Sequence, residues 1–339
     1  MSAVPIRRRT RITITVVLIV LLLLGGAIYL RKKAPPEAAR LLPESDGIVY
    51  LNLRPLRART HFEQRPVTHS PDYQKFIDAT GVVFERDLDE VAFALHRMPD
   101  PKGPNGPVAF SEVFVGHFDG HRLMAWLGSI AASQETYAGH TIYNIASEDR
   151  TVRVALLGYD IVAVSNTPTA EQMHSMLDRY RSAALPFTGS SLLAAHYSDV
   201  PLLSLAWGVG QIGLPLNDHG GVAILGMRLP LTVDATYIAS LSWVGKIHLR
   251  VEEIAPTEAE AASSAESLET ILSFLRAADG AATGTLGDAD TRTLLNSTQI
   301  EHRKDRMILT SVIPPGLFEK LVSSPPDSSS LPLPAGPQK

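Results

Sequence analysis

Two histidines, His117 and His121, lie four residues apart in the segment HFDGH and are the metal-ligand candidates of this chain. Histidines at this spacing share one face only on a helix, and the intervening Asp119-Gly120 favours a turn. No acidic residue accompanies them in the HExxH pattern of a zinc site. We therefore interpret the segment as a polar turn between a strand and a helix, and we predict no metal site.

Residues 208–213 (GVGQIG) have the GxGxxG spacing of a dinucleotide-binding loop. In that loop a helix begins after the first glycine and its N-terminus faces the pyrophosphate. Pro215 and the glycines that follow oppose a helix here, and no βαβ pattern surrounds Asp234, which stands where a ribose-binding acid would be. We predict a flexible Gly-rich loop after a strand, and no cofactor.

An acidic segment, containing Asp87, Asp89 and Glu90, precedes a predicted strand. As metal ligands these carboxylates would need further oxygen donors nearby, so we interpret the segment as a solvated turn next to Arg86. No GxSxG, phosphate-binding loop, EF-hand or kinase signature occurs. Catalytic residues are therefore unknown at this stage, although distant Ser, His and Asp residues could still assemble a triad in the fold.

Charge is distributed unevenly along the 339 residues. Residues 1–33 hold seven Lys/Arg and no acid, whereas the remainder holds 24 Lys/Arg against 35 Asp/Glu, a net charge of −11. Such an acidic body is a poor nucleic-acid binder, because phosphate contacts need clustered basic side chains. The chain has no cysteine, which excludes disulfides, thiol catalysis and thiolate metal sites. With 45% hydrophobic residues, the composition is that of a globular protein.

Residues 12–30 (ITITVVLIVLLLLGGAIYL) form an uncharged stretch bracketed by basic residues. About 20 apolar residues suffice for a helix to cross a bilayer, so we predict an uncleaved, single-pass signal anchor. A cleaved signal peptide would have a shorter apolar core, and a buried core helix would be less uniformly apolar. Four arginines precede the stretch and three basic residues follow it. This small bias favours a cytoplasmic N-terminus and an extracytoplasmic C-terminal body.

The remaining chain alternates short strand patterns with helix patterns, which indicates an α+β fold of antiparallel sheets with packed helices. The same order of elements occurs twice and suggests two similar lobes. We divide the chain into a cytoplasmic N-terminus (1–11), the transmembrane anchor (12–30), a tether (31–45), a first lobe (46–186), a second lobe (187–322) and a disordered Pro/Ser-rich tail (323–339).

The strongest local predictions are helices at residues 72–80, 122–132 and 256–278, a three-strand meander within residues 140–165, and a hairpin within residues 298–312. The first of these helices is expected to stop at Gly81, and the third carries a capping-box spacing at Thr257 and Glu260.

Several segments between residues 42 and 183 resemble a group of uncharacterised membrane-anchored bacterial proteins with an envelope-facing domain. These are LPESDGIVYLNLRPLR, ATGVVFERDLDEVAFAL and SEVFVGHFDGHRLMAWL, followed by YAGHTIYNI and VALLGYDIVAVSNTPTAEQMHSMLDRY. Within them, Thr80-Gly81 with residues 87–91 (DLDEV) and residues 118–120 (FDG) match the group's motifs. The second half matches less clearly. The resemblance implies an anchored α+β protein of the bacterial cytoplasmic membrane, and it carries over no active-site residues.

These observations favour a non-catalytic, membrane-tethered protein that binds or scaffolds a component of the cell envelope, with the bilayer as one partner through residues 12–30 and an envelope protein as a possible second. The alternative is a membrane-anchored hydrolase whose site is assembled from distant Ser, His and Asp residues. A concave pocket containing a nucleophile hydrogen-bonded to a base would favour the alternative.

Overall fold

The computed structural model describes residues 34–64, 69–147, 150–182, 189–211, 223–224, 227–228, 232, 234–281 and 289–323. Within these ranges the α-helices are α1 (Glu37–Leu41), α2 (Leu53–Thr60), α3 (Pro71–Thr80), α4 (Phe84–Asp87), α5 (Gly120–Ile130), α6 (Glu171–Arg181), α7 (Ser191–His196), α8 (Glu258–Ala281), α9 (Ala289–Ser297) and α10 (Pro315–Ser323). Two short 3₁₀ helices are Phe62–Gln64 and Tyr197–Asp199.

The strands are β1 (Gly47–Asn52), β2 (Leu88–Arg97), β3 (Val108–Gly116), β4 (Ser133–Tyr137), β5 (His140–Ser147), β6 (Arg150–Leu157), β7 (Ile161–Ser165), β8 (Ser204–Gln211), β9 (Ala223–Ile224), β10 (Met227–Arg228), β11 (Thr236–Val244), β12 (Lys246–Ile254), β13 (Gln299–Arg303) and β14 (Arg306–Ile313). Helices and antiparallel strands together confirm the α+β class.

Twelve strands form one continuous antiparallel sheet in the order β13-β14-β12-β11-β8-β1-β2-β3-β7-β6-β5-β4, and β9 and β10 form a separate two-stranded sheet among the described residues. The strands of residues 46–186 are contiguous on one side, and those of residues 187–322 on the other. The two sides join where β1 pairs with β8, Tyr50 lying opposite Trp207. The two halves therefore share one large sheet, because a central strand pair continues the ladder across the boundary between them.

The sheet has two faces that differ in their cover. One face, here called the core face, carries Ile48, Ala94 and Val113, and it packs with residues of α1, α6 and α7 in the main hydrophobic cluster. The other, here called the far face, carries Phe93 and Glu112 as a cross-strand pair. At one end of the far face α5 covers β5 and β6, and at the other end α8 packs on β13 and β14.

Local capping signals place several helices where the sequence predicts them. Ser70 accepts a hydrogen bond from the Tyr73 amide, Pro71 begins α3, and Gly81 ends it in the left-handed region with φ 76°. Proline suits the first helical position because its missing N–H would have no acceptor there. The Thr257 side chain likewise accepts from the Glu260 amide at 3.2 Å, at the start of α8.

Three segments differ from the sequence-based predictions. Residues 37–41, assigned to the tether, form α1 and enter the core, where Ala38 and Ala39 are fully buried; the folded body thus begins before residue 46. Residues 53–60 form α2 because Asn52 caps it and Pro55 falls in its first turn. The expected three-strand meander has a fourth strand, β4. Its residues are mostly polar, so the sequence has no hydrophobic alternation that would predict a strand there.

Residues 12–30 lie outside the described ranges, as does the tail from residue 324 onward. In the part of the chain that the structure describes, no helix combines the length and apolar character needed to cross a membrane.

Candidate ligand-binding site

A cavity of about 450 Å³ lies on the core face where the two halves of the sheet meet. Its floor is made by β1 and β8, and α7 with the following 3₁₀ helix forms one wall. Pro35 and Pro36, which precede α1, complete its mouth. This volume falls within the range of small-molecule sites in proteins.

The floor of the cavity is aromatic. Tyr50 and Trp207 are cross-strand partners, and their rings stack with centroids 5.4 Å apart. Tyr197 meets the Trp207 ring edge-on at 5.5 Å. Both floor residues are almost fully buried, so their rings hold fixed positions. Such a rigid aromatic surface can bind a flat or apolar group at little conformational-entropy cost.

The rim of the cavity exposes two large apolar side chains. Leu202 and Leu203 are 58% and 73% exposed, and Leu203 has a left-handed backbone with φ 70°. This conformation is costly for a leucine, and turns normally place Gly or Asn there. The turn is closed by Ser204, whose hydroxyl donates to the Pro201 carbonyl at 2.7 Å. Exposed leucines held in a strained turn at a cavity mouth are typical of a binding site.

The cavity is electrically neutral at its surface. None of the described residues that line it carries a charged side chain, and its polar groups are hydroxyls and the amide of Asn52. Burial raises the pKa of Tyr50 well above its ordinary value, with the neighbouring Glu90 adding to the shift. Burial also raises the pKa of Tyr197. Both phenols therefore stay protonated. The Tyr50 hydroxyl already hydrogen-bonds the Glu90 carboxylate, so the Tyr197 hydroxyl is the phenol that can donate to a ligand.

A serine–histidine contact of the kind expected for a hydrolase is present, but it is buried. His96 Nε2 lies 2.9 Å from Ser111 Oγ, and the chain of hydroxyls continues through Ser165 to Thr167. Ser111 is fully buried and lines neither described cavity. Burial lowers the pKa of His96, which keeps the ring neutral. The contact satisfies buried polar groups, and a substrate has no path to the hydroxyl in this conformation.

Two carboxylates of the acidic segment, those of Asp87 and Asp89, are buried and ion-paired with arginines. Asp89 is 3% exposed and pairs with Arg54 at 2.9 Å and Arg57 at 3.1 Å. Burial alone would raise the pKa of Asp89, but the hydrogen bonds from the two arginines outweigh it and lower the pKa. Asp87 is held in the same way by Arg86 and the Val83 amide. The segment is therefore not solvated as predicted, because Asp87 and Asp89 are buried against arginines, but the predicted neighbour Arg86 does pair with Asp87.

The two candidate metal ligands have different surroundings. His117 is exposed and its Nδ1 lies 3.6 Å from Asp89 Oδ2, while His121 is exposed in the first turn of α5. Asp119 caps that helix by accepting from the His121 and Arg122 amides, so the predicted turn between a strand and a helix is present. Within the described ranges, no group of three or more His, Asp or Glu side chains is placed to hold a metal ion.

Gly208 and Gly210 belong to β8, not to a loop. Strand β8 is antiparallel to both β1 and β11, so no parallel βαβ unit is present around these glycines. A side chain at residue 210 would collide with the backbone of β1, since an added Cβ would lie 2.7 Å from the Gly47 Cα. Gly210 thus permits a close strand contact. Residues 212 and 213 of the motif lie outside the described ranges.

The sequence-based search missed the cavity residues. Tyr50 and Trp207 lie on β1 and β8, which come from opposite halves of the chain, and nothing in the sequence pairs these two strands. A search for unexplained aromatic residues at inward strand positions would have retained both.

Comparison with known proteins gives only remote likenesses. No family model matches the chain, and no curated protein matches it. Similar solved structures include three crystal forms of TP0453. Crystal form III is 12% identical with a TM-score of 0.46, covering 86% of this chain and 99% of that one. Forms I and IV are 13% and 14% identical, with TM-scores of 0.42 and 0.43, and cover 86% and 85% of this chain and 98% and 96% of theirs.

Proposed function

We propose that this chain is a membrane-tethered, extracytoplasmic binding protein of the bacterial cell envelope, and that its ligand is a neutral apolar or aromatic group bound in the cavity between β1, β8 and α7. The aromatic floor formed by Tyr50 and Trp207 is the observation that carries the proposal. Apolar ligand surface buried against the exposed rim leucines, Leu202 and Leu203, supplies most of the affinity, and the two rings form the rigid floor. The proposal adds a site to the sequence-based expectation of a non-catalytic protein.

The lining of the cavity supports a neutral ligand. A charged group loses its favourable free energy of hydration on entering such a site, and only a countercharge in the site compensates for this loss. The described lining offers hydroxyls and one amide, but no countercharge. We therefore expect uncharged ligands to bind and their anionic or cationic analogues to be rejected.

The position of the cavity supports a role at the membrane surface. Pro35, at the cavity mouth, follows Leu30 by five residues, and Leu30 ends the proposed transmembrane anchor. Five extended residues reach at most about 18 Å, so the anchor would hold the cavity mouth close to the bilayer. The proposal keeps residues 12–30 as the membrane contact and an envelope protein as the second partner.

The order of strands supports the proposal of two similar lobes. In each half a three-stranded antiparallel run (β1-β2-β3 or β8-β11-β12) is followed along the chain by a helix on the far face, α5 or α8. The strand that then pairs with the outermost member is β7 in the first half and β14 in the second. The cavity lies where these two halves meet.

Two experiments test this function. A reporter enzyme that works only outside the cytoplasm should be active when it is fused after residue 339. Activity of a reporter that works only in the cytoplasm, fused at the same place, would contradict the extracytoplasmic assignment. Calorimetric titration of the full chain in lipid nanodiscs with benzyl alcohol, benzoate and benzylamine tests the ligand class, with protein-free nanodiscs as the blank. We expect specific binding of benzyl alcohol alone. Equal or tighter binding of either charged analogue would contradict a neutral site.

A further inference from the structure

A second cavity, of about 260 Å³, lies on the core face at the β4 end of the sheet. Three of its residues form one cross-strand row, with Ser133 opposite Asn144 and Asn144 opposite Arg153. Glu135 on β4 and Thr151 on β6 lie next to this row on the same face of the sheet, and the other lining residues are alanines. The cavity is therefore small and walled by polar side chains, unlike the aromatic cavity between the halves.

One side of this second cavity presents hydrogen-bond acceptors. The Asn144 amide nitrogen donates to Ser133 Oγ at 3.2 Å, but Asn144 Oδ1 is buried and has no hydrogen-bond partner among the described residues. Buried acceptors are rarely left unsatisfied in proteins, so this oxygen can accept a hydrogen bond from a donor that enters the cavity. Next to it, the Glu135 carboxylate uses one oxygen to contact His174 Nε2 at 2.9 Å.

The other side presents donors. Arg153 donates from Nη1 to the Thr167 carbonyl at 2.7 Å and from Nη2 to the Pro168 carbonyl at 3.3 Å. These contacts use two of its five N–H groups. In the described part of the chain no carboxylate lies within ion-pair distance of its guanidinium. Burial lowers the pKa of Arg153, while Glu135 acts from a greater distance to raise it. A negative and a positive side chain thus line one cavity without pairing.

We propose that this second cavity binds a small zwitterion, namely a free α-amino acid. Its ammonium group would donate to Asn144 Oδ1 and Glu135, and its carboxylate would accept from Arg153. Each hydrogen bond would join a charged group to a complementary partner, which is the strong class of hydrogen bond. An anion would meet the Glu135 carboxylate and a cation the Arg153 guanidinium, so neither satisfies both sides. The volume is large enough for a free amino acid.

Calorimetry on the full chain in lipid nanodiscs tests this inference, with glycine and L-alanine as probes. Acetate, methylammonium and glycerol are the comparators, because each lacks at least one of the two charges. We expect the amino acids to bind and the comparators to give no heat above the blank. No binding of glycine or L-alanine up to about 10 mM, or equal binding of glycerol, would overturn the proposal.

Matched variants assign the binding to this cavity. Glu135→Gln should weaken amino-acid binding about tenfold or more, since one charged partner is lost. Thr136→Ala, at the next position of β4 and on the opposite face, should leave binding unchanged. Asn144→Ala provides a second test, in which weaker binding is again expected. Circular dichroism and the thermal midpoint verify that each variant is folded. Unchanged affinity in both folded cavity variants would refute the site.

Discussion

Glu112 should make the stability of this protein depend on pH. Its carboxyl group lies on the far face between Phe93 and Val164, its cross-strand neighbours. Burial raises its pKa from 4.5 to about 7. The folded state therefore keeps a proton on Glu112 at pH values where the unfolded state has lost it. By linkage, the free energy of unfolding falls as pH rises from about 4.5 to about 7 and is constant above that range.

The size of this pH effect on the free energy of unfolding follows from the shift in the pKa of Glu112. The difference between the folded pKa of about 7 and the ordinary 4.5 corresponds to at most about 3 kcal/mol, at about 1.4 kcal/mol for each tenfold change in an equilibrium constant. The side chain is only partly shielded from water, so we expect about 2 kcal/mol. Glu112→Gln removes the titration. The variant should be about 2 kcal/mol more stable than the natural protein at pH 8 and nearly equal to it at pH 4.

Urea denaturation followed by tryptophan fluorescence, repeated between pH 4 and pH 8.5, measures this difference. Glu269→Gln, at an exposed position of α8, is the matched control and should change stability by less than about 0.5 kcal/mol at every pH. Parallel curves for Glu112→Gln and the natural protein, with no convergence at low pH, would refute the argument from burial.

Two further predictions concern structure. Gly210→Ala should cost about 1–3 kcal/mol in unfolding free energy, because the new Cβ meets the β1 backbone. Gly208→Ala, whose Cβ lies 3.5 Å from its nearest neighbour, should cost less. Thermal unfolding of the two variants measures the difference, and equal losses would contradict the close contact. Asp89→Asn should cost about 1–3 kcal/mol because the partly buried Arg57 and the exposed Arg54 lose their charged hydrogen-bond acceptor, while Asp72→Asn, in an exposed pair with Lys75, should cost under about 0.5 kcal/mol. A small loss for Asp89→Asn in chemical denaturation would show that the network is replaceable.

Local structure was largely predictable from the sequence. Helix α3 and the start of α8 follow from capping residues, and the hairpin of β13 and β14 follows from alternation, since these signals act within a few residues. Strand β4 was missed because its side chains are mostly polar and exposed, so it carries no hydrophobic alternation.

The candidate sites were not predictable in the same way. The aromatic cavity depends on the pairing of β1 with β8, which joins residues from opposite halves of the chain. The polar cavity depends on the register of β4, β5 and β6, which places Asn144 beside Arg153. The acidic segment was misjudged for a related reason. The partners of Asp89 are the α2 arginines Arg54 and Arg57, and only the fold shows that they approach it.

The most direct test of the proposed function fills the aromatic cavity and measures binding. Ala194 on α7 lines the cavity, whereas the neighbouring Ala195 is exposed and does not line it. With both variants in lipid nanodiscs, the account predicts that Ala194→Trp abolishes the calorimetric binding of benzyl alcohol and that Ala195→Trp retains it. Equal binding by the two folded variants would contradict a ligand site between β1, β8 and α7.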